Sequence, residues 1–504
     1  MVEDSELITE LSTAVSQLHT EAPPETVLPS EDVLATAREK LVQHLPGIGI
    51  GVQEAIRHIR EEIAPAFNGS SRSSRYYGFV TGGSTPAASL ADNLVTAYDQ
   101  NVQVHLPQET VATNLEDTAL SLLCELLELD PAQWPHRTFT TGATASNLLG
   151  LACGREFIIE EAVAARNDSN TSVGDLGIYE AMHRAGIDNI QILTTVPHSS
   201  LSKAASVLGI GRASVKTIAT QDASHKIDVQ LLKKLLEVPG TASIVAISAS
   251  EVNTGLFATD GIKEMQEIRR LCDVYGAWIH VDGAFGILGR LLSHPDYEVI
   301  KRGCEGLDLA DSITGDGHKL LNVPYDCGFF LSKHREIASC VFQNPNAAYL
   351  STGDGIETIM SPLNIGLENS RRLRALPVYA SLTAYGREGY REMLERQVIL
   401  SRGIAEFVLD SEDFELLPKF EGSRAEVLSN IYIIVLFKAK NEGLNKELVQ
   451  RIKASRRIYV SGTAWDGLPA CRFAVSNWRA DIEKDLPVIK EVLTEVVSSW
   501  KAQQ

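Results

Sequence analysis

Between Thr138 and Leu331 the hydrophobic period of this chain switches back and forth. Short runs rich in β-branched and other apolar residues predict strands at Thr138–Thr141, Ile190–Thr194, Val215–Ile218, Ser243–Ser248, Trp278–Val281, Ser312–Thr314 and Gly328–Leu331. Longer runs, with apolar residues every three or four positions, predict helices at Ser146–Arg166, Ser200–Leu208, Val229–Leu236, Ile262–Tyr275 and Tyr297–Arg302. Strands and helices in alternation form a mostly parallel sheet with helices on both faces, an α/β fold. Such a sheet binds its ligands beyond the carboxyl ends of the strands. The loops that follow these strands are therefore the place to look for chemistry.

The flanks have a different pattern. Residues 1–68 read as a helical segment, with helical spacing over Leu7–Leu18, a break at Ala22-Pro23-Pro24-Glu25 and a second helix from Ser30, its N-cap, to Leu45. That segment has too few apolar residues to fold alone and is expected to pack on another domain or subunit. Residues 69–370 form the large domain, opening with a loop around Tyr76–Pro86 and helices at Ala87–Tyr98 and Asn114–Leu127. Residues 371–504 read as a smaller α+β domain: a long helix from about Asn369 to Leu409, strands at Asn430–Phe437, Ile458–Ser461 and Cys471–Val475, and a helix at Ile482–Trp500.

Composition narrows the partners. The formal net charge is −19, which repels phosphate backbones and acidic membrane faces, so neither nucleic acid nor membrane is an expected partner. Seven scattered cysteines without a Cys-x-x-Cys pair suit reduced thiols. No metal-ligand spacing occurs among the 12 histidines, and no secretory signal or membrane-length apolar run is seen. A cytoplasmic protein without a metal is the expectation.

Four strand-end stretches could carry chemistry. In Gly315-Asp316-Gly317-His318-Lys319, a lysine stands among small and apolar residues. Lysines are rarely buried without a reason, and a desolvated amine is a nucleophile for carbonyl carbon. Lys319 thus reads as the anchor of an aldehyde cofactor, held as a Schiff base. In His280-Val281-Asp282-Gly283-Ala284, Asp282 ends an apolar strand. It reads either as a strand-end cap or as the counter-ion of a protonated pyridine nitrogen. Thr140-Thr141-Gly142-Ala143-Thr144-Ala145-Ser146 is a strand, a small-residue turn and a helix start, which suits a phosphate but is a common pattern. His198 follows a strand and precedes a helix; it could stack on a planar ring or simply cap the helix. His318 could donate to a phosphate or be a turn residue. Phosphate turn, flat imidazole, carboxylate and amine in this order are what pyridoxal 5′-phosphate requires.

With these residues set out, the chain from about Tyr77 to Asp485 resembles the group II pyridoxal-phosphate-dependent amino acid decarboxylases. That family includes the aromatic L-amino acid, tyrosine, histidine and glutamate decarboxylases. The matching stretches are His280–Ala284, Asp316–Lys319, Asn322–Gly328 and Ser370–Leu376. The resemblance implies the fold-type-I, aminotransferase-like architecture and a homodimer with shared active sites, residues 1–68 packing on the partner. It makes Lys319 the Schiff-base lysine, Asp282 the partner of the pyridine nitrogen and His198 the stacking residue. It puts Ala143, Thr144 and His318 at the phosphate, Ser370 there from the partner subunit, and Ala284 under the ring. Phe79 and Thr81 match the substrate-entrance loop, and Tyr349 the loop tyrosine that protonates the substrate carbon. The implied reaction is decarboxylation of an L-amino acid, aromatic in preference to glutamate or 2,4-diaminobutyrate. A related carbon–carbon lyase, an aldehyde-forming decarboxylase-deaminase and a non-catalytic scaffold are the rivals. The chain departs from the family pattern at Ala145 and at Ser250-Glu251, which puts Glu251 near the ring hydroxyl or the substrate.

Overall fold

A computed structural model of the chain describes residues 24–166, 172–344 and 359–504, together with Thr9, Thr13 and Ser16. The chain divides into two compact units, one of Ala87–Glu395 with Glu421–Tyr432, the other of Met1–Pro86, Arg396–Phe420 and Ile433–Gln504.

The first unit is built on a seven-stranded sheet. Its strands are β1 (His136–Thr140), β2 (Asn189–Thr194), β3 (Val215–Thr217), β4 (Thr241–Ser248), β5 (Trp278–Asp282), β6 (Ser312–Asp316) and β7 (Gly328–Ser332). They lie in the order β1-β7-β6-β5-β4-β2-β3. Only β7 runs against its neighbours, pairing Gly328 with both Thr140 and Asp316. All other pairs are parallel. Each of the predicted strands is present. Strands β5 and β6 run further than predicted, so Asp282 and Asp316 are the last residues of the sheet itself.

Helix α1 (Ala143–Ala164) crosses this sheet. It begins three residues before the predicted start, because its first N–H has a partner elsewhere: Ala143 N donates to Asp316 Oδ1 at 2.6 Å. Its side chains are buried on most sides, with Leu149, Leu151, Ile158 and Ile159 in one cluster with Ile192, Ile244, Trp278 and Phe330. Gly150 and Gly154 let α1 approach β5. A Cβ on Gly150 would stand 2.3 Å from the His280 ring, and one on Gly154 2.8 Å from Trp278.

The second unit carries a five-stranded sheet in the order Tyr76–Tyr77, Tyr459–Trp465, Leu468–Ala474, Ile434–Ala439 and Phe414–Leu417. Tyr76–Tyr77 joins it in parallel and the rest are antiparallel. The two strands predicted around Ile458 and Cys471 are longer than expected and form a hairpin. Its turn is Asp466-Gly467, both at positive φ, the pairing that two-residue hairpin turns favour. Ser30 caps its helix as predicted, accepting from Val33 N at 3.2 Å. That helix is Glu31–Lys40 and stops short of the expected Leu45, which is 97% exposed. Of the predicted helix at Leu7–Leu18 the described residues are Thr9, Thr13 and Ser16, all three helical, and Tyr349 lies outside the described residues. The long helix Ala375–Asp410 is interrupted at Gly386, whose φ of 57° no other residue type adopts readily. No helix among the described residues is long and apolar enough to cross a membrane.

Candidate active site

The carboxyl ends of β1, β2, β4, β5 and β6 share one edge of the sheet. Two polar clusters stand there.

The first is centred on Asp316, at the end of β6 and 3% exposed. A buried carboxylate needs charge-assisted partners, and this one has two kinds. Its Oδ2 lies 2.9 Å from Lys319 Nζ. Its Oδ1 accepts Ala143 N–H at the start of α1, and His318 Nε2 is 3.5 Å away. Sequence reading placed Lys319 among small and apolar residues; the amine is instead half of an ion pair, which accounts for its partial burial. Nζ also stands 5.6 Å from the centre of the Phe285 ring. His318 accepts Cys327 N–H on Nδ1 at 3.3 Å and stacks against Tyr325, ring centres 3.9 Å apart. Burial pulls its imidazole below the usual range, Asp316 opposing the shift. Gly142, ahead of α1, is closely packed: a Cβ would stand 3.2 Å from the His318 ring and 3.3 Å from Asp316, so either would have to shift by a few tenths of an ångström. Ala143 is buried and Thr144 exposed on the first turn of α1.

The second cluster is centred on Asp282, at the end of β5. Its Oδ1 accepts Ala284 N–H at 3.2 Å and its Oδ2 accepts from Asn147 Nδ2 at 2.9 Å. Asn147 also donates to Ser200 Oγ at 3.0 Å, and Ser200 Oγ is 2.7 Å from His198 Nδ1. His198 does cap the helix Ser199–Val207, taking Ser200 N–H on Nδ1 at 3.2 Å. The cap uses an edge of the ring, so it does not compete with stacking on a face. Asp316 N–H donates to Ala284 O at 3.1 Å, which ties the two clusters together.

Of the residues predicted from the sequence, Lys319, His318, Ala143, Asp282, Ala284 and His198 are joined by these contacts. Ser370 is exposed, just ahead of the short strand Arg371–Arg372. Phe79 and Thr81 belong to the other unit. There Phe79 is 59% exposed, its N–H donates to Ser461 Oγ at 3.2 Å, and Thr81 N–H donates to Gly78 O at 3.0 Å. Phe79 and Val80 both have positive φ, of 56° and 60°, a strained pair for residues other than glycine. Glu251, expected near the ring hydroxyl or the substrate, is buried three residues past the end of β4. Its carboxylate folds into its own turn, where it accepts from Asn253 N at 2.8 Å and from the N–H and hydroxyl of Thr254. Asp316, Asn147, Ser200 and His280 were missed. For Asp316 the signal was present, an acid three residues before the lysine.

Chemically, the edge offers an amine, a carboxylate that meets neutral donors among the described residues, an imidazole with an exposed ring and a closely packed helix start. That donor set matches an aldehyde with a ring nitrogen and an anionic tail.

Comparison with known proteins agrees. Residues 37–425 match the family model described as the pyridoxal-dependent decarboxylase conserved domain. An L-2,4-diaminobutyrate decarboxylase of Acinetobacter baumannii is 29% identical over 324 residues, 63% of this chain and 60% of that protein. An aromatic-L-amino-acid decarboxylase of Bacillus atrophaeus is 24% identical over 492 residues, 95% of this chain and 92% of its own length. The fold matches that of Oryza sativa TDC, solved with PLP and tryptamine, with a TM-score of 0.78 at 18% identity over 99% of this chain and 98% of that one. The chain therefore belongs to the pyridoxal-dependent decarboxylase family, and it is a pyridoxal 5′-phosphate-dependent amino acid carboxy-lyase.

Proposed function

We propose that the strand-end edge of the sheet holds pyridoxal 5′-phosphate and that the preferred substrate is an L-amino acid with an aromatic side chain, such as tyrosine, DOPA or tryptophan. One observation carries the cofactor placement. Asp316 holds Lys319 Nζ on one oxygen and the start of α1 on the other. The amine for an aldehyde and the helix N-terminus for a phosphate thus flank a single carboxylate, as two ends of one small molecule require.

In this reading Lys319 is the amine that would hold the cofactor through its aldehyde carbon, at a position open to exchange with the amine of an incoming amino acid. Asp282, which faces only neutral donors among its described contacts, keeps a proton on the ring nitrogen. His198 would cover one face of the ring and Ala284 would pack against the other. Ala143, Thr144 and His318 take the phosphate, with Ser370 serving the opposite subunit's site. When bound, the cofactor supplies an electron sink for the pair left on the substrate's α-carbon as CO₂ departs. Tyr349 would be the source of the proton for the substrate's α-carbon, and Lys319 the amine that takes the product's place.

The aromatic preference is supported by the second unit. Phe79 lies 6.0 Å, ring centre to ring centre, from Tyr459, which stacks on Tyr76 at 4.4 Å, so the loop of Phe79 and Thr81 has an aromatic surround. A second reading, 2,4-diaminobutyrate, is favoured by the 29% identical relative. The net charge of −19 also favours a cationic over an acidic substrate. A homodimer is supported by the apolar surface of the N-terminal segment, where Leu45, Ile48 and Phe67 are 97%, 89% and 67% exposed. Seven free thiols support a reducing, cytoplasmic setting.

The test is a screen of the twenty amino acids, DOPA and 2,4-diaminobutyrate, following CO₂, amine and aldehyde. The expected result is CO₂ with equimolar amine, fastest from an aromatic substrate. A preference for 2,4-diaminobutyrate selects the second reading. Aldehyde in place of amine reveals a decarboxylase-deaminase.

A further inference from the structure

Helix α1 and strand β5 meet along a row of contacts that the assignments above leave unused. Trp278, His280 and Asp282 alternate onto one face of β5. Asn147, Gly150 and Gly154 share one face of α1. The two glycines bring the helix close enough for Asn147 to touch both His280 and Asp282. Asn147 Oδ1 is 2.9 Å from His280 Nε2. His280 Nδ1 is 2.8 Å from Ser312 Oγ, which accepts Trp278 Nε1–H at 3.0 Å. Asn147, His280, Ser312 and Trp278 are all fully buried.

Chemistry forces the direction of every bond in this row. A carboxylate only accepts, so the side of the amide facing Asp282 is Nδ2. Oδ1 then faces His280, and His280 must donate from Nε2. Burial holds the His280 imidazole neutral down to about 4, so Nδ1 is a lone pair and takes the hydroxyl proton of Ser312. The second N–H of Asn147 goes to Ser200 Oγ, so the Ser200 hydroxyl donates onward to His198 Nδ1. Ser200 N–H, which can only donate, points at the same nitrogen. Two independent donors therefore converge on Nδ1, and the proton of His198 resides on Nε2.

We propose that Asn147 is a positioning residue for both groups at once: its amide, oriented by His280, fixes the Asp282 carboxylate and, through Ser200, holds His198 as the Nε2–H tautomer. The inference rests on the reading that Asp282 and His198 serve the ring of pyridoxal 5′-phosphate. A side chain of equal size without the two donors would leave the packing intact and release both groups.

The first test needs no variant. In the full-length protein labelled with ¹⁵N-histidine, two-bond proton–nitrogen correlations should show His198 and His280 each protonated on Nε2. A proton on Nδ1 of either one overturns the inference. The second test measures pyridoxal 5′-phosphate affinity of the full-length chain, freed of cofactor, by its visible absorbance. Asn147→Leu keeps about the size and removes both donors without adding a charge beside Asp282. It should weaken affinity about tenfold, the value of a hydrogen bond to a charged group, and mix the His198 tautomers. Unchanged affinity with an unchanged His198 spectrum contradicts the proposal. Asp282→Ala separates the two levels: if it too binds normally, the underlying reading of Asp282 fails. If it binds weakly while Asn147→Leu binds normally, the role of Asn147 alone fails.

Discussion

Asp282 and Asp316 end adjacent strands, β5 and β6, and face the same edge of the sheet, yet their surroundings differ in kind. Asp316 is paired within the chain, with a lysine amine on one oxygen and a helix start on the other. Among the described residues, Asp282 receives hydrogen bonds from an amide and a backbone N–H. A carboxylate whose charge is already balanced has little to offer a ligand. One held by neutral donors keeps its negative charge for a cationic partner. Under the proposed function, the difference separates a carboxylate that aims the amine, Asp316, from one that would act on the cofactor, Asp282.

Matched substitutions test that division. Asp282→Asn should lower the rate of CO₂ release by about 10²–10³-fold at saturating cofactor, the usual cost of losing a preorganised charge at the reacting group. Asp316→Asn should cost about tenfold, mainly as weaker cofactor affinity, since a carboxamide still accepts Ala143 N–H but no longer balances Lys319. If Asp316→Asn proves the more damaging in rate at saturating cofactor, the two roles are reversed.

A smaller effect comes from the histidine behind Asp282. Burial holds His280, and likewise His136, down to about 4. Unfolded histidine takes up its proton near pH 6.5. Between these limits the unfolded chain binds more protons, so stability is full above pH 6.5 and falls as the pH drops toward 4, by up to about 3 kcal/mol for each residue. Urea unfolding midpoints from pH 7.5 to 4.5 should show this decline. A flat profile would contradict a neutral His280, and with it the direction of the Ser312–His280 bond, in which the hydroxyl donates to Nδ1.

Much of this arrangement was legible in the sequence because it is periodic or local. The alternation from Thr138 to Leu331 fixed the sheet, and the sheet fixed which loops share an edge. Lys319, Asp282 and the Gly142–Ala143 turn follow from that rule and from side-chain chemistry alone. The ion pair of Lys319 with Asp316 spans three residues and was equally open to inspection, as was the Asp466-Gly467 turn. The contact of Asn147 with Asp282 was not. It joins residues 135 apart and depends on how closely α1 lies on β5, which Gly150 and Gly154 decide only once helix and strand are known to be neighbours. The left-handed backbone at Phe79 and Val80 has no sequence signal either, because neither residue favours it. Tyr76–Tyr77, a two-residue strand, is too short to carry a period.

The central claim is that Lys319 is the residue to which pyridoxal 5′-phosphate is bonded. Borohydride reduction of the holoenzyme followed by peptide mass mapping tests it directly. The account predicts one pyridoxyl phosphate group per chain, on the peptide carrying Lys319, and neither the group nor decarboxylation in Lys319→Ala. A pyridoxyl group on any other lysine, or CO₂ release by Lys319→Ala at the normal rate, would contradict it.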